Sequence, residues 1–313
     1  MEKIAIYGAG VIGAGEATLV IGHNIPCTVV GRSEAGLERC RKTVEQNWDD
    51  LIAQGLAAEQ NKQAALELLT LTNDPAAMAG CTFVFEAVAE DPAQKQTVFQ
   101  TIEAHAAPNV VIASCTSSLN AGDLAALVSR PENLVVAHPL QPVHMMPLVE
   151  VVGHSQNSPQ TLERTTALLR LLHREPVTLS HSIAGFLVNR LQQVLYREAV
   201  YLMEQGVTTA EDINLTMKYL AMRYASIGLM EYFDDVGLPL ESTIALNVYP
   251  DLCAETDIQA LVQQRMDKGQ NGKAAGYGIL DWSKIDLDDY RYRKQAPFFP
   301  PVRQWTMPGT APV

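Results

Sequence analysis

Residues 4–15 read IAIYGAGVIGAG, a short apolar run closed by three glycines, Gly8, Gly10 and Gly13, in GxGxxG spacing. The run predicts a buried strand, and the apolar residues from Val11 onward predict a helix that starts at once. Between two such elements each glycine has its own task. The first permits a tight turn, the second lets the backbone approach a pyrophosphate, and the third lets the helix pack close to the strand. Val11 and Ile12 complete the turn, and the first N–H groups of the helix are free to meet phosphate oxygens. These residues support a dinucleotide-binding α/β domain.

Working outward, further β-branched runs follow at intervals: CTVV (27–30), TFVFEAV (82–88), NVVIAS (109–114), NLVVAH (133–138) and PLVEVVG (147–153). Helical patterns such as Pro92 to Ala107 separate them. That alternation predicts a parallel sheet with helices on both faces, and Pro176 to Leu179 predicts one more strand. After Ser182 the texture changes. The stretch SIAGFLVNRLQQVLYREAVYLMEQG (182–206) reads as one long apolar helix, and TAEDINLTMKYLAM (209–222) as a second with Thr209 at its N-cap. The expected fold is therefore α/β, a doubly wound Rossmann-type sheet domain over 1–181 followed by an all-helical domain over 182–313. Its last stretch, from Gln295, is rich in proline and is expected to wrap loosely over the surface.

With 313 residues, 47% hydrophobic and 19% charged, the chain can bury a large core. A formal net charge of -12 argues against nucleic acid or an anionic membrane as partner. Cys27, Cys40, Cys81, Cys115 and Cys253 are scattered and never in CxxC spacing, which suggests neither a disulfide framework nor a zinc site. The first strand begins at Lys3, with no space for a signal peptide before it, and no apolar run approaches membrane-spanning length. A cytoplasmic protein is the expectation.

The end of the second strand distinguishes the cofactor. An acid there would accept hydrogen bonds from both hydroxyls of an adenosine ribose and repel a 2′-phosphate. The sequence has Gly31, Arg32 and Ser33 instead. Arg32 can pair with a 2′-phosphate and Ser33 can donate to it, which favours NADP(H) over NAD(H). The plainer alternative makes Arg32 a solvated neighbour of the adenine and Ser33 a helix cap.

Downstream, SCTSSL (114–119), AHPLQPVHMMPLVEVVG (137–153) and GFLVNRL (185–191) occur in order, preceded by FEAVAEDPAQKQTVF (85–99) and followed by EQGVTTAEDINLTM (204–217) and NGKAAGYGILDW (271–282). In these motifs and their spacing, over roughly residues 1–285, the chain resembles the L-3-hydroxyacyl-CoA dehydrogenase family. Oxidising a secondary alcohol needs a base for the hydroxyl proton while hydride leaves the same carbon, and imidazole suits that task near neutral pH. His138 is the candidate base, and Glu150 would hold its far nitrogen. The resemblance implies that Ser117 and Asn189 bind the reacting oxygen, and that Glu90 and Lys95 lie near the nicotinamide ribose. His144 shares a loop with His138, but no third ligand has metal-site spacing, so no metal is expected.

Departures from the family pattern bear on the substrate. HPLQP replaces the usual HFFNP, placing Gln141 where an Asn is expected, and MRYASIGLMEYFDDVGL (222–238) looks closer to the lambda-crystallin and L-gulonate dehydrogenase branch. Between Gly55 and Gly80 the only basic residue is Lys62, thin support for the 3′-phosphate of coenzyme A. Arg223 could clamp a substrate carboxylate. A small hydroxy acid is therefore favoured. The alternatives are a true 3-hydroxyacyl-CoA dehydrogenase and, from another class, a crystallin-like structural protein, for which a His138–Glu150 pair would have no physical use. The resemblance also implies a homodimer through the helical domain.

Overall fold

The computed structural model describes residues 2–306. Eight strands, β1 Ile4–Tyr7, β2 Cys27–Val30, β3 Leu69–Thr72, β4 Phe83–Glu86, β5 Val111–Ser114, β6 Leu134–Pro139, β7 Leu148–Val152 and β8 Glu175–Leu179, form one sheet. Six helices accompany them: α1 Val11–Gly22, α2 Glu34–Ala53, α3 Glu59–Glu67, α4 Pro92–His105, α5 Ala121–Ala125 and α6 Pro159–Leu171. The strand order is β3-β2-β1-β4-β5-β6-β7-β8. The chain runs outward from β1 to β3, then returns to β4 on the other side of β1. That reversal opens a crevice at the C-terminal ends of β1 and β4, where ligands of doubly wound sheets bind.

The central strands are apolar on both faces because helices cover both. Ile4 and Ile6 join one buried cluster with Leu19, Val29, Phe83 and Phe85. Ala5 and Val84, pointing the other way, join a second with Phe99, Ile112 and Val136. This is the burial that parallel sheets require.

Four local expectations are corrected. β7 runs antiparallel to β6. The connection between them is only residues 140–147, too short for the dozen or more residues that a parallel crossover needs. β3 is an additional edge strand. The first helix after Ser182 starts at Val188 and not at Ser182 itself: Gly185 (φ 75°) and Phe186 (φ 47°) adopt left-handed conformations. For Phe186 that conformation costs about 1–3 kcal/mol. Its ring is 1% exposed, and burying a phenylalanine is worth about 1.5–3 kcal/mol, which offsets the strain. The C-terminal stretch does not wrap loosely as far as it is described. A helix spans Phe299–Thr306, Val302 is fully buried, and Phe298 and Phe299 pack against the sheet domain's core. Pro300 and Pro301 fall in the first turn, where a missing N–H is harmless. Residues 307–313 lie outside the described residues.

The chain divides into two compact units, one comprising residues up to Leu187 together with those from Arg291 onward, the other Val188–Tyr290. From Val188 on, the structure is helical: α7 Val188–Glu204, α8 Ala210–Ile227, α9 Leu229–Val236, α10 Leu238–Val248, α11 Ala260–Asp267, α12 Leu287–Gln295 and α13 Phe299–Thr306. Thr209 caps α8, its side chain accepting from the Asp212 N–H. Among the described residues no helix is long and apolar enough to cross a membrane.

Candidate active site

The glycine turn after β1 is held by contacts that only glycine permits. Gly8 has φ +130°, and a Cβ there would lie 2.3 Å from the Ala87 carbonyl oxygen after β4. A Cβ on Gly13 would lie 1.9 Å from the Gly8 carbonyl oxygen, so α1 packs against the turn with no room for a side chain. Gly10 faces open space, with nothing within 4 Å of an added Cβ. Val11, in the first turn of α1, is 66% exposed, and Ile12 is half-buried. Together with the ends of β1, β2 and β4 the turn lines a cleft of about 670 Å³. A bare backbone beside open space at a helix N-terminus fits a dinucleotide pyrophosphate.

At the end of β2, Gly31 is buried, and a Cβ there would strike Leu37 Cδ2 at 2.6 Å. Arg32 is exposed and lines the cleft. Ser33 is the N-cap of α2, its Oγ accepting from the Gly36 N–H at 3.2 Å. Its own hydroxyl proton can still be donated. Glu34, the nearest acid in sequence, accepts from Asn73 Nδ2 at 2.9 Å.

His138 and Glu150 are cross-strand partners in the antiparallel β6/β7 pair. Both are buried, and His138 Nδ1 lies 2.7 Å from Glu150 Oε2. The second oxygen, Oε1, accepts from the Leu187 N–H at 2.7 Å. The Phe186 ring stands 5.6 Å from the imidazole, centroid to centroid. The left-handed turn thus both covers the imidazole and satisfies its carboxylate. A carboxylate on Nδ1 makes that nitrogen the donor and leaves Nε2 as the basic atom.

Ser117 and Glu90 meet directly. Glu90 Oε1 accepts from the Ser117 N–H at 2.7 Å and from its Oγ at 3.2 Å, and Thr116 Oγ1 donates to both carboxylate oxygens. Lys95 Nζ lies 3.6 Å from Glu90. Partial burial pushes the Glu90 carboxyl up, but the Ser117 and Thr116 hydrogen bonds and Lys95 outweigh it and hold the group below its ordinary value. Behind this surface pair, Lys95 donates to both oxygens of the fully buried Glu86, at 2.8 and 2.9 Å, and Ser114 Oγ donates to Glu86 Oε2 at 2.6 Å. A charge pair this deep is costly to break from one side, by about 3–5 kcal/mol.

The loop that follows His138 is clamped from two sides. A Cβ on Gly15 would fall 2.7 Å from Val143 Cβ, so α1 lies directly on it, and Arg174 Nη1 donates to the Met146 carbonyl at 2.8 Å. Beside Gly15, Glu16 is 2% exposed and its Oε2 has no hydrogen-bond partner. Burial pushes its carboxyl up to about 7, against the pull of Arg174. Burial, then Arg174, pushes His144 down to about 4. Because the folded protein holds the Glu16 proton that the unfolded chain releases above about 4.5, Glu16 withdraws stability progressively as pH rises from there to about 7. Glu16→Gln is therefore expected to match wild type in thermal unfolding near pH 4.5 and to exceed it near pH 7.5. A Tm difference that is independent of pH would sink this assignment.

Gln141 is exposed in the same loop, and the Gln141–Pro142 bond is cis. In the helical unit, Asn189 lies half-buried in the first turn of α7. Arg223 is exposed on α8, its guanidinium 4.6 Å above the Tyr232 ring. Among the described residues no three His, Cys, Asp or Glu side chains come together to hold a metal ion. Glu86, Thr116 and Asn73 join these groups without having been candidates, although Glu86 stands in FEAVAED and Thr116 in SCTSSL.

Fold and cradle define a nicotinamide-dependent dehydrogenase. The model of the 3-hydroxyacyl-CoA dehydrogenase NAD-binding domain matches residues 3–182, and that of the family's C-terminal domain matches residues 185–282. The chain belongs to the 3-hydroxyacyl-CoA dehydrogenase family, whose members act on CH–OH groups. It is 33% identical to an L-carnitine dehydrogenase of Staphylococcus epidermidis over 72% of this chain and 70% of that one. It is 29% identical to a 5-formyl-3-hydroxy-2-methylpyridine 4-carboxylate 5-dehydrogenase of Mesorhizobium japonicum over 90% of each. A solved structure of a dehydrogenase of that pyridine compound, described as an NAD+-dependent dismutase, superposes with a TM-score of 0.86 at 27% identity, covering 98% of this chain and 99% of that one. The (S)-3-hydroxybutyryl-CoA dehydrogenase of Ralstonia eutropha gives 0.75 at 27% identity, covering 91% and 100%.

Proposed function

We propose that this protein interconverts a small 3-hydroxy acid and its keto acid with NADP(H) in preference to NAD(H), and that His138, oriented by Glu150, moves the hydroxyl proton. The carrying observation is the buried 2.7 Å contact between His138 Nδ1 and Glu150 Oε2. It fixes the imidazole so that Nε2 can take a proton, and it places a negative charge where the imidazolium will form. The nicotinamide, when bound, supplies the hydride chemistry. Gly8, Gly10 and Gly13 with Val11 and Ile12 would cradle the cofactor's pyrophosphate, Arg32 and Ser33 would meet the adenosine end, and Glu90, with the buried Lys95 behind it, would lie near the nicotinamide ribose. Ser117 and Asn189 are assigned to the reacting oxygen, and Gln141 and Arg223 to the rest of the substrate.

A free carboxylate is favoured over a thioester by two observations. The relatives above include dehydrogenases named for L-carnitine and for a pyridine 4-carboxylate. The one basic residue between Gly55 and Gly80, Lys62, is occupied by Asp49. The 3-hydroxybutyryl-CoA dehydrogenase likeness keeps the thioester reading as the alternative. Assays of NADPH and NADH oxidation with free 3-keto acids and with acetoacetyl-CoA separate the two. Turnover is expected with a keto acid. Turnover with acetoacetyl-CoA alone would establish the thioester reading, and cofactor binding without turnover on either class would point to a structural role.

The helical unit also supports a homodimer. Leu191, Val194 and Leu195 share a face of α7 and are each at least 50% exposed, as are Tyr219 and Met222 on α8. Apolar surface repeated at helical spacing calls for a covering partner, and a second copy supplies a self-complementary one. Sedimentation equilibrium is expected to give twice the 34.2 kDa chain mass.

A further inference from the structure

We propose that Arg39 is a second cofactor-specificity residue, gripping the 2′-phosphate of an adenosine ribose together with Arg32. This rests on the NADP(H) reading and extends it to a residue that lies away from the glycine fingerprint and the strand end.

Arg39 belongs to the second turn of α2, and its side chain lines the same cleft as Gly10, Arg32, Ser33 and Asn73. Although exposed, it turns back toward the start of the helix. A Cβ built on Gly36, in the first turn, would have Arg39 Nη2 at 3.8 Å and Ser33 Oγ at 3.2 Å. The guanidinium is thus folded back over the start of α2, above the bare backbone of Gly36, and reaches the level of the Ser33 hydroxyl. No side chain at position 36 stands between them.

The charges around this point are arranged for an anion. Among the described residues no acid lines the cleft. The nearby acids of α2 each have a partner, Glu34 the amide of the cleft residue Asn73 at 2.9 Å and Glu38 the Lys42 ammonium at 3.5 Å. Among the described residues neither Arg32 nor Arg39 has an ion-pair partner. Two guanidinium groups border one cleft without a counter-ion, and a dianionic phosphate bound there would give each of them a charge-assisted contact. The positive end of the helix lies at the same place, and the Ser33 hydroxyl is free to donate there. An unphosphorylated ribose would use none of these groups except the hydroxyl.

The test is binding, read by protein fluorescence or calorimetry, of NADPH, NADH, 2′,5′-ADP and 5′-ADP to wild type, Arg39→Ala and Arg39→Lys. Arg39 is exposed, so the variants are expected to fold, and their Tm is recorded alongside. Wild type should bind NADPH at least ~10-fold tighter than NADH. Arg39→Ala should lose about 10-fold for NADPH and for 2′,5′-ADP, equivalent to about 1.4 kcal/mol, while its NADH and 5′-ADP affinities stay within about 2-fold. Arg39→Lys should fall between. If wild type prefers NADPH and Arg39→Ala keeps the full preference, the role of Arg39 is overturned and the NADP(H) reading stands. If Arg39→Ala weakens all four ligands alike, the residue holds the shared adenosine diphosphate and not the 2′-phosphate, which also overturns the proposal. If wild type binds NADH as tightly as NADPH, the NADP(H) reading fails and the proposal fails with it.

Discussion

His138→Gln is expected to lower kcat by about a thousandfold or more while leaving cofactor affinity within about twofold of wild type. Glutamine is the informative replacement because of what Glu150 needs. Both carboxylate oxygens are occupied, Oε2 by His138 and Oε1 by the Leu187 N–H, and the group is fully buried. Removing the imidazole with alanine would leave a buried carboxylate oxygen without its donor, at a cost of about 1–3 kcal/mol or more, and would confuse lost stability with lost chemistry. A glutamine amide can still donate to Glu150, but it has no basic nitrogen. Steady-state kcat on the keto-acid substrate, paired with cofactor binding by fluorescence, is the measurement. Activity within tenfold of wild type would remove His138 from the mechanism.

The sheet domain was legible in the sequence to the extent that its residues answer to local sterics. The three fingerprint glycines are an example. Gly8 and Gly13 are demanded by contacts with the Ala87 and Gly8 carbonyls, and Gly10 leaves bare backbone facing the open cleft, so the motif states its own geometry. β3 was not legible because LTLT is four residues at a sheet edge, partly exposed, and carries too little pattern to separate it from the preceding helix. The direction of β7 cannot be read from PLVEVV, since a strand buried on both faces looks the same either way round. The shortness of the 140–147 connection was the signal that would have settled it.

The candidate site divides along the same line. His138 and Glu150 could be paired on chemical grounds, and the antiparallel register puts them opposite each other. The Glu86–Lys95–Ser114 and Glu90–Ser117 contacts were hidden because their members stand up to 28 residues apart. They become neighbours only when β4 and β5 lie side by side with Glu86 level with Ser114. Two motifs that read as separate stretches are thereby one hydrogen-bonded surface. The helix onset at Val188 was missed for a different reason. Ile183, Phe186 and Leu187 continue an apolar helical pattern, and only the tertiary demand of covering His138 and capping Glu150 turns the chain into the left-handed region at Gly185 and Phe186.

Arg32→Asp is expected to reverse cofactor preference, moving the NADPH to NADH affinity ratio by about 100-fold or more. Position 32 is where an acid has to be introduced, because Gly31, the strand-end residue itself, cannot carry a side chain without displacing Leu37. The substitution acts twice. It removes a cation from the 2′-phosphate, and it places a carboxylate where like charges would face each other, a juxtaposition worth several kcal/mol. For NADH the same carboxylate is an asset, since it can accept hydrogen bonds from the free ribose hydroxyls. Arg39 and the Ser33 hydroxyl remain in the variant, so residual NADPH binding is expected and its size measures what those groups contribute without Arg32. Affinities for both cofactors, wild type against variant, decide the matter. If wild type already binds NADH tighter by a wide margin, Arg32 is only a solvated neighbour of the adenine and Ser33 only the cap of α2.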